Sequence, residues 1–271
     1  SVATNRNTFR ADRVILCAGS KAAPVTGSDG SGYDLAKKLG HSILPVLPAL
    51  TALRCEEKFF KSIAGVRVYG TAAVWSEGEC IAKDTGEIQI TDYGISGIPV
   101  FQVSRYASKL LYEGKEAEAV LNFMPDFTKE QMKAFLRSRA ETRPEKRTDM
   151  FLIGLFHKKL CDLWCRMSKI PGGKPAGELT DEELVRLTSL IMEFRVRIAG
   201  TNSYDKAQVC CGGVDTSEVS PGTMESVYVP GLYFAGEILD VDGMCGGYNL
   251  TFAWASGYAA GRAAAMNRPY E

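Results

Sequence analysis

Arg13-Val14-Ile15-Leu16-Cys17-Ala18-Gly19 decides how this chain is read. The apolar run from Val14 to Ala18 does not alternate with polar residues and stops at a glycine, the pattern of a central parallel strand covered on both faces. Working outward, Gly27-Ser28-Asp29-Gly30-Ser31-Gly32 opens a segment, Tyr33 to Leu39, whose Leu35, Ala36 and Leu39 have helical spacing, and Gly40 ends it. A second stretch of the same kind, Gly231-Leu232-Tyr233-Phe234-Ala235-Gly236, stands near the other end of the chain. It is followed by the acidic Glu237, Asp240 and Asp242, then Gly246-Gly247-Tyr248-Asn249 and a small-residue helix from Ala253 to Met266. Two matching α/β segments around a different middle predict one domain interrupted by an insertion. The boundaries are 1–48 and 210–271 for the divided domain and 49–209 for the middle.

The middle changes character. From Val66 to Thr91, β-branched and aromatic segments broken by Gly70, Ser76-Glu77-Gly78 and Gly86 predict antiparallel hairpins. Beyond Thr128 the period becomes helical, and Thr128 with Gln131 and Thr180 with Glu183 each form a capping box. Leu184, Leu187, Ile191, Phe194 and Ile198 fall on one stripe, as do Leu152, Leu155, Phe156, Leu163 and Met167, and both predict core-facing helices. Ile170-Pro171-Gly172-Gly173-Lys174-Pro175 reads as an exposed loop between two of them.

Composition narrows the function classes. The chain has 271 residues, with Lys+Arg and Asp+Glu equal at 32 each. A zero formal charge gives no electrostatic reason to expect nucleic acid or an anionic membrane as partner. The longest charge-free stretch, Gly243 to Gly261, is too polar and too broken by glycine for a helix in lipid. Eight cysteines are too few for a disulfide scaffold at this length and lack zinc or thioredoxin spacing, so they read as thiols in a cytoplasmic core. With only His41 and His157 in the chain, no histidine-rich metal site is expected, and neither imidazole stands out as a general base.

Chemistry belongs at the strand ends. In open parallel sheets ligands bind beyond the carboxyl ends of strands, where glycines admit the backbone and helix N-termini offer amides. Ala18-Gly19 and Ala235-Gly236-Glu237 are two such ends. Glu237 and Asp240 could accept from sugar or ribitol hydroxyls, and the helix after Gly246-Gly247-Tyr248-Asn249 would direct its positive end at negative charge on a ligand. Taken singly, each glycine pair is also compatible with an ordinary turn.

Together the motifs resemble a known family. Asp12 to Gly19, Gly30-Ser31-Gly32-Tyr33-Asp34-Leu35-Ala36, Pro48-Ala49-Leu50, Thr91-Asp92-Tyr93-Gly94-Ile95-Ser96-Gly97, Gly212-Gly213-Val214, Thr223-Met224-Glu225-Ser226 and Gly231 to Leu250 resemble, in order, the BaiN-like or HI0933-like flavoproteins. The resemblance implies an NAD(P)/FAD-dependent oxidoreductase of the two-dinucleotide-binding type, with a β-plus-helical substrate domain inserted into the FAD domain. On the family's motifs, Ala18 and Gly19 would lie against the adenosine-pyrophosphate side of FAD. Gly236, Glu237 and Asp240 would meet the pyrophosphate and ribitol, and Gly246, Gly247, Tyr248, Asn249 and Leu250 the isoalloxazine side. Hydride would pass through flavin N5 to or from a small organic substrate, small amines and enone-type steroids being the family's range, with NAD(P)H as reductant.

The family's opening G-x-G-x-x-G is not found here, since Gly27 to Gly32 reads G-x-x-G-x-G. The chain opens on Ser1 with almost no preamble and reads as an N-terminally truncated piece, short by on the order of 130 residues against folds whose fingerprint opens the first βαβ unit. The expectation is then that this chain binds FAD weakly or not at all. Two alternatives stand beside the flavoenzyme: a non-catalytic binding or scaffold protein without a cofactor site, and a nicotinamide-only dehydrogenase using the Gly27 to Gly32 loop. The second lacks a carboxylate at the spacing that ribose recognition requires.

Overall fold

A computed structural model describes residues 1–266. The chain divides into two compact units, one formed by Ser1–Leu50 with Asn202–Glu271 and the other by Thr51–Thr201. Residues 49–50 and 202–209, expected in the middle, thus belong with the first unit, where the Tyr204 hydroxyl donates to the Val46 carbonyl at 2.8 Å.

In the first unit, a two-residue hairpin of β1 (Val2–Ala3) and β2 (Thr8–Phe9) precedes β3 (Val14–Leu16). β3 pairs in parallel with β12 (Leu232–Phe234), placing Leu232 opposite Val14 and Phe234 opposite Leu16. Helix α1 (Ser31–Lys38) follows β3, and β4 (Leu47–Ala49) pairs antiparallel with β11 (Val209–Cys211). The last element is α8 (Tyr248–Met266). Tyr233, Phe234, Ile238 and Leu239 form the core with Tyr33 and Ala36 of α1 and Ala260 of α8.

Two expectations change here. β12 is buried along its length, but β3 is not covered on both faces, for Ile15 is 38% exposed. Among the described residues β3 has a single strand partner, so one edge of it is unpaired. In α1 the inward residues are Gly32, Tyr33 and Ala36, while Leu35 and Leu39 face outward. The helix does end at Gly40, whose φ of 93° permits the paired closing bonds Gly40 N–H to Lys37 O and His41 N–H to Ala36 O, both 3.1 Å.

In the second unit, β5 (Leu53–Cys55), α2 (Phe60–Ile63), β6 (Arg67–Ser76), β7 (Glu79–Ile90) and β8 (Gly94–Ser96) lead to helix α3 (Ile98–Tyr112) and β9 (Glu118–Asn122). Helices α4 (Lys129–Thr142), α5 (Thr148–Phe151), α6 (Lys158–Met167) and α7 (Asp181–Met192) come next, and β10 (Phe194–Thr201) ends the unit. The strands close into a barrel in the order β10-β5-β8-β7-β6-β9. The β6–β7 hairpin turns through Glu77 (φ 51°) and Gly78 (φ 84°), the left-handed pair that matches strand twist. Both capping boxes form, each Thr hydroxyl accepting from the N–H three residues on.

Both helical stripes fail in part. α5 ends at Phe151 and α6 begins at Lys158, so Leu152, Leu155 and Phe156 lie between helices, and Met167 is 41% exposed, leaving Leu163 as the inward helical member of that stripe. α7 ends at Met192, and Phe194 and Ile198 belong to β10, where Phe194, Val196 and Ile198 point inward and Arg195 and Arg197 outward. The period-2 pattern Phe-Arg-Val-Arg-Ile outweighs the coincidence that 191, 194 and 198 also suit a helix. The glycine-proline loop before α7 is exposed only in part, because Ile170 is buried and Lys174 reaches Glu183 at 2.7 Å.

Candidate active site cleft

The site is built inside the first unit, at the carboxyl ends of its parallel pair. β3 runs out through Cys17 and Ala18 to Gly19 (φ 76°), and β12 through Ala235 to Gly236 (φ 75°). Both glycines hold a left-handed conformation that a β-carbon would strain, and both line a cleft of about 760 Å³. Its walls come from three sources: Ile15 of β3 with Cys17 to Gly19 after it, Thr26 to Ser28 in the glycine loop, and Ala235 to Glu237 after β12. Ala253 and Gly257 of α8 close the side, one turn apart and too small to fill it.

Hydrogen bonds fix these walls. The Gly236 N–H donates to Ser256 Oγ at 2.9 Å, and that hydroxyl donates back to the Phe252 carbonyl at 2.7 Å, so α8 is tied to the turn after β12. Ser20 Oγ donates to Glu237 Oε2 at 3.2 Å, joining the two strand ends through the carboxylate. Burial raises the Glu237 carboxyl above its ordinary range, and the Ser20 hydroxyl offsets only part of that. Burial likewise raises the nearby thiol of Cys210 and the phenol of Tyr33. Among the described residues the backbone amides of Gly19 and Ser28 donate to no protein acceptor. A cleft lined by free amide donors and a half-buried carboxyl can take phosphate oxygens at the amides and hydroxyls at the carboxyl.

The sequence candidates separate into three groups. Ala18, Gly19, Gly236 and Glu237 line the cleft together. Asp240 does not: its Oδ1 accepts the Gly212 N–H at 2.8 Å and holds the loop after β11. Gly246, Gly247, Tyr248, Asn249 and Leu250 form a separate turn at the start of α8, outside the cleft lining. There the Asn249 side chain accepts from Gly243 N–H at 2.7 Å and donates to Gly243 O at 3.1 Å, while Tyr248 and Leu250 stand exposed. Of the other lining residues, Ser28 belongs to the Gly27 to Gly32 loop, while Thr26, Ala253 and Gly257 carry no sequence signal of their own. The small-residue character of the two segments does not say which members face a ligand.

Apart from this cleft, His41 sits in a closed polar network in the same unit. Its Nδ1 lies 3.2 Å from Glu218 Oε2 and its Nε2 2.8 Å from Ser226 Oγ, which also accepts the amides of Tyr228 and Val229. With His41, Glu218 and Ser226 all buried, the network is a packing device rather than a nucleophile facing substrate. His157 instead caps α6, its Nδ1 accepting from the Lys159 N–H.

Residues 1–263 match the family model described as HI0933-like protein Rossmann domain. The chain is 48% identical over 257 residues to the 3-dehydro-bile acid delta(4,6)-reductase of Clostridium scindens, covering 95% of this chain and 63% of that protein. It is 30% identical over 258 residues to the ribosomal RNA dihydrouridine synthases of Escherichia coli and Haemophilus influenzae, covering 94% of this chain and 61% of each. The chain therefore spans less than two thirds of the length of these curated relatives.

Proposed function

We propose that this chain, which belongs to the HI0933-like family, carries residues of an FAD site and serves a reductase acting on a carbon–carbon double bond of a small organic substrate. The observation that carries the reading is the convergence of the Gly19 and Gly236 turns, with Glu237 between them, at the carboxyl ends of two parallel strands. That is where dinucleotides bind in open α/β sheets. The donor set suits the group: Gly19 and Ser28 would offer amides to a pyrophosphate, and the Glu237 carboxyl, held by Ser20, would accept from hydroxyls. Gly236 has only Ala253 Cβ near the position of an added β-carbon, at 3.8 Å, so its open face admits a ligand against the backbone.

Bound FAD would supply hydride exchange at N5, with NAD(P)H as reductant. The chain's own part is to bind and orient it: α8, anchored by Ser256, fixes the side wall, and Ala253 and Gly257 leave room beside it. The greater identity to the bile acid reductase than to the dihydrouridine synthases, together with the zero net charge, favours an enone-type steroid over an RNA uridine. The middle unit is assigned to substrate handling, and the eight free thiols suit a reducing cytoplasm.

The test titrates the purified protein into FAD and follows quenching of flavin fluorescence, then measures NAD(P)H oxidation under anaerobic conditions with a 3-oxo-4,6-diene steroid. Saturable binding weaker than about 1 μM is expected, lost in Ala253→Leu, which fills the cleft from a helical position, with the circular dichroism unchanged. No saturable quenching, or quenching indifferent to Ala253→Leu, overturns the site. Nicotinamide oxidation that responds to uridine-containing RNA and not to the steroid would move the substrate to the second class.

A further inference from the structure

The second unit holds a cavity of about 430 Å³ beside the carboxyl end of α4, walled by Arg139, Arg143 and Lys146 with the hydroxyls of Ser138 and Thr142. Its apolar side is Phe151, which is buried, and Phe135, which is half-buried and packs edge-on against Phe127.

Charge pairing along this stretch is selective. Lys129 pairs with Glu193, Lys133 and Arg137 with Asp181, and Arg147 with Asp149. Between residues 129 and 149, the basic side chains without a carboxylate partner among the described residues are Arg139, Arg143 and Lys146, the three that face the cavity. Arg139 is held in place by neutral acceptors alone: its Nε donates to Phe151 O and its Nη2 to Ile153 O, both at 2.9 Å, leaving Nη1 uncommitted. No carboxylate lines the cavity, and Asp149, close by in sequence, is already taken by Arg147. Cations after a helix favour its carboxyl end in any protein. That accounts for their sign but not for three unpaired ones gathered around one cavity, while the four other cations between residues 129 and 149 each have an acid.

We propose that this cavity is a binding site for a small phosphate-bearing organic molecule. Three cations with forked and point-like donors suit a dianionic phosphate. The volume exceeds what a bare phosphate fills and leaves space for an organic group against Phe135.

The experiment is isothermal titration of the full chain at low ionic strength with AMP, inorganic phosphate and adenosine as probes. AMP should bind saturably, phosphate more weakly and adenosine not at all. Arg143→Ala combined with Lys146→Ala, whose side chains make no hydrogen bond in the protein, should weaken AMP by roughly tenfold or more with the far-UV spectrum unchanged. Lys109→Ala with Lys115→Ala, two basic changes away from the cavity lining, should leave AMP binding as it was. Resonances of residues 138–151 should be those that shift on addition of AMP. Absence of saturable AMP binding, binding equal for adenosine, or binding unaffected by the double variant overturns the proposal. So does binding that requires a polynucleotide.

Discussion

Glu218 shows how much one buried carboxylate can organise. Burial works against its ionisation, but hydrogen bonds from Ser42 and the adjacent His41 outweigh it and hold the carboxyl below its ordinary value. A depressed folded value contributes stability above the unfolded one, about 4.3, and that contribution drains away as pH falls through the folded value. Tyr228, whose hydroxyl reaches Glu218 Oε1 at 3.4 Å, belongs to the same network. Glu218→Gln should therefore be less stable than the parent at pH 7, by about 1–3 kcal/mol for a disrupted buried partner, and the gap should narrow as pH falls below the unfolded value. Urea unfolding across a falling pH series measures this, and a gap that widens on acidification would contradict it. None of this network was legible in sequence, because its members are brought together from residues 41, 218 and 226. The strand-end residues were legible, because a glycine after an apolar run is a local signal. Asp240 is not separable by that signal: an acid beyond a strand looks the same whether it lines the cleft or accepts from Gly212.

Among the elements, what the sequence showed best was chemistry within four residues. The capping boxes at Thr128 and Thr180 and the Glu77-Gly78 turn all form as read, since each is closed by bonds within its own turn. β10 was lost because Ile191, Phe194 and Ile198 fit two periods at once, and the choice between them lies in pairing with β5 and β9. β3 was overread, because a continuous apolar run specifies a strand but not how many neighbours it has. Local closure also makes a quantitative expectation possible at α7. Thr180 Oγ accepts the Glu183 N–H, and Glu183 in turn accepts from Thr180 N–H and pairs with Lys174. Thr180→Ala removes the first of these bonds and should cost about 1 kcal/mol, measured as a lower urea midpoint with unchanged slope. Thr180→Ser keeps the acceptor and should recover most of it.

At the scale of the molecule, the second unit has what an autonomous domain needs. Its strands close on themselves and so present no open sheet edge, which removes the usual hazard of excising a β-rich segment. Its two ends also meet: β5 opens the unit and β10 closes it, with Leu53 paired to Thr201. A segment that enters and leaves through neighbouring strands can interrupt another fold without stretching it. This closure could not be read from the sequence, for it joins strands nearly 150 residues apart whose individual patterns name no partner. The buried set inside is large and continuous, running from Leu53 and Ile95 in the barrel to Leu136, Trp164 and Leu187 in the helices. A polypeptide of residues 51–201 should accordingly fold alone, with a single cooperative urea transition and dispersed amide resonances. The first unit should fare worse if residues 51–201 are replaced by a short glycine-serine link, because its parallel pair leaves one edge of β3 unpaired among the described residues and Ile15 exposed. A 51–201 fragment with a random-coil spectrum would show instead that the barrel depends on the rest of the chain, and the assignment of this unit to a separable substrate-handling role would fall with it.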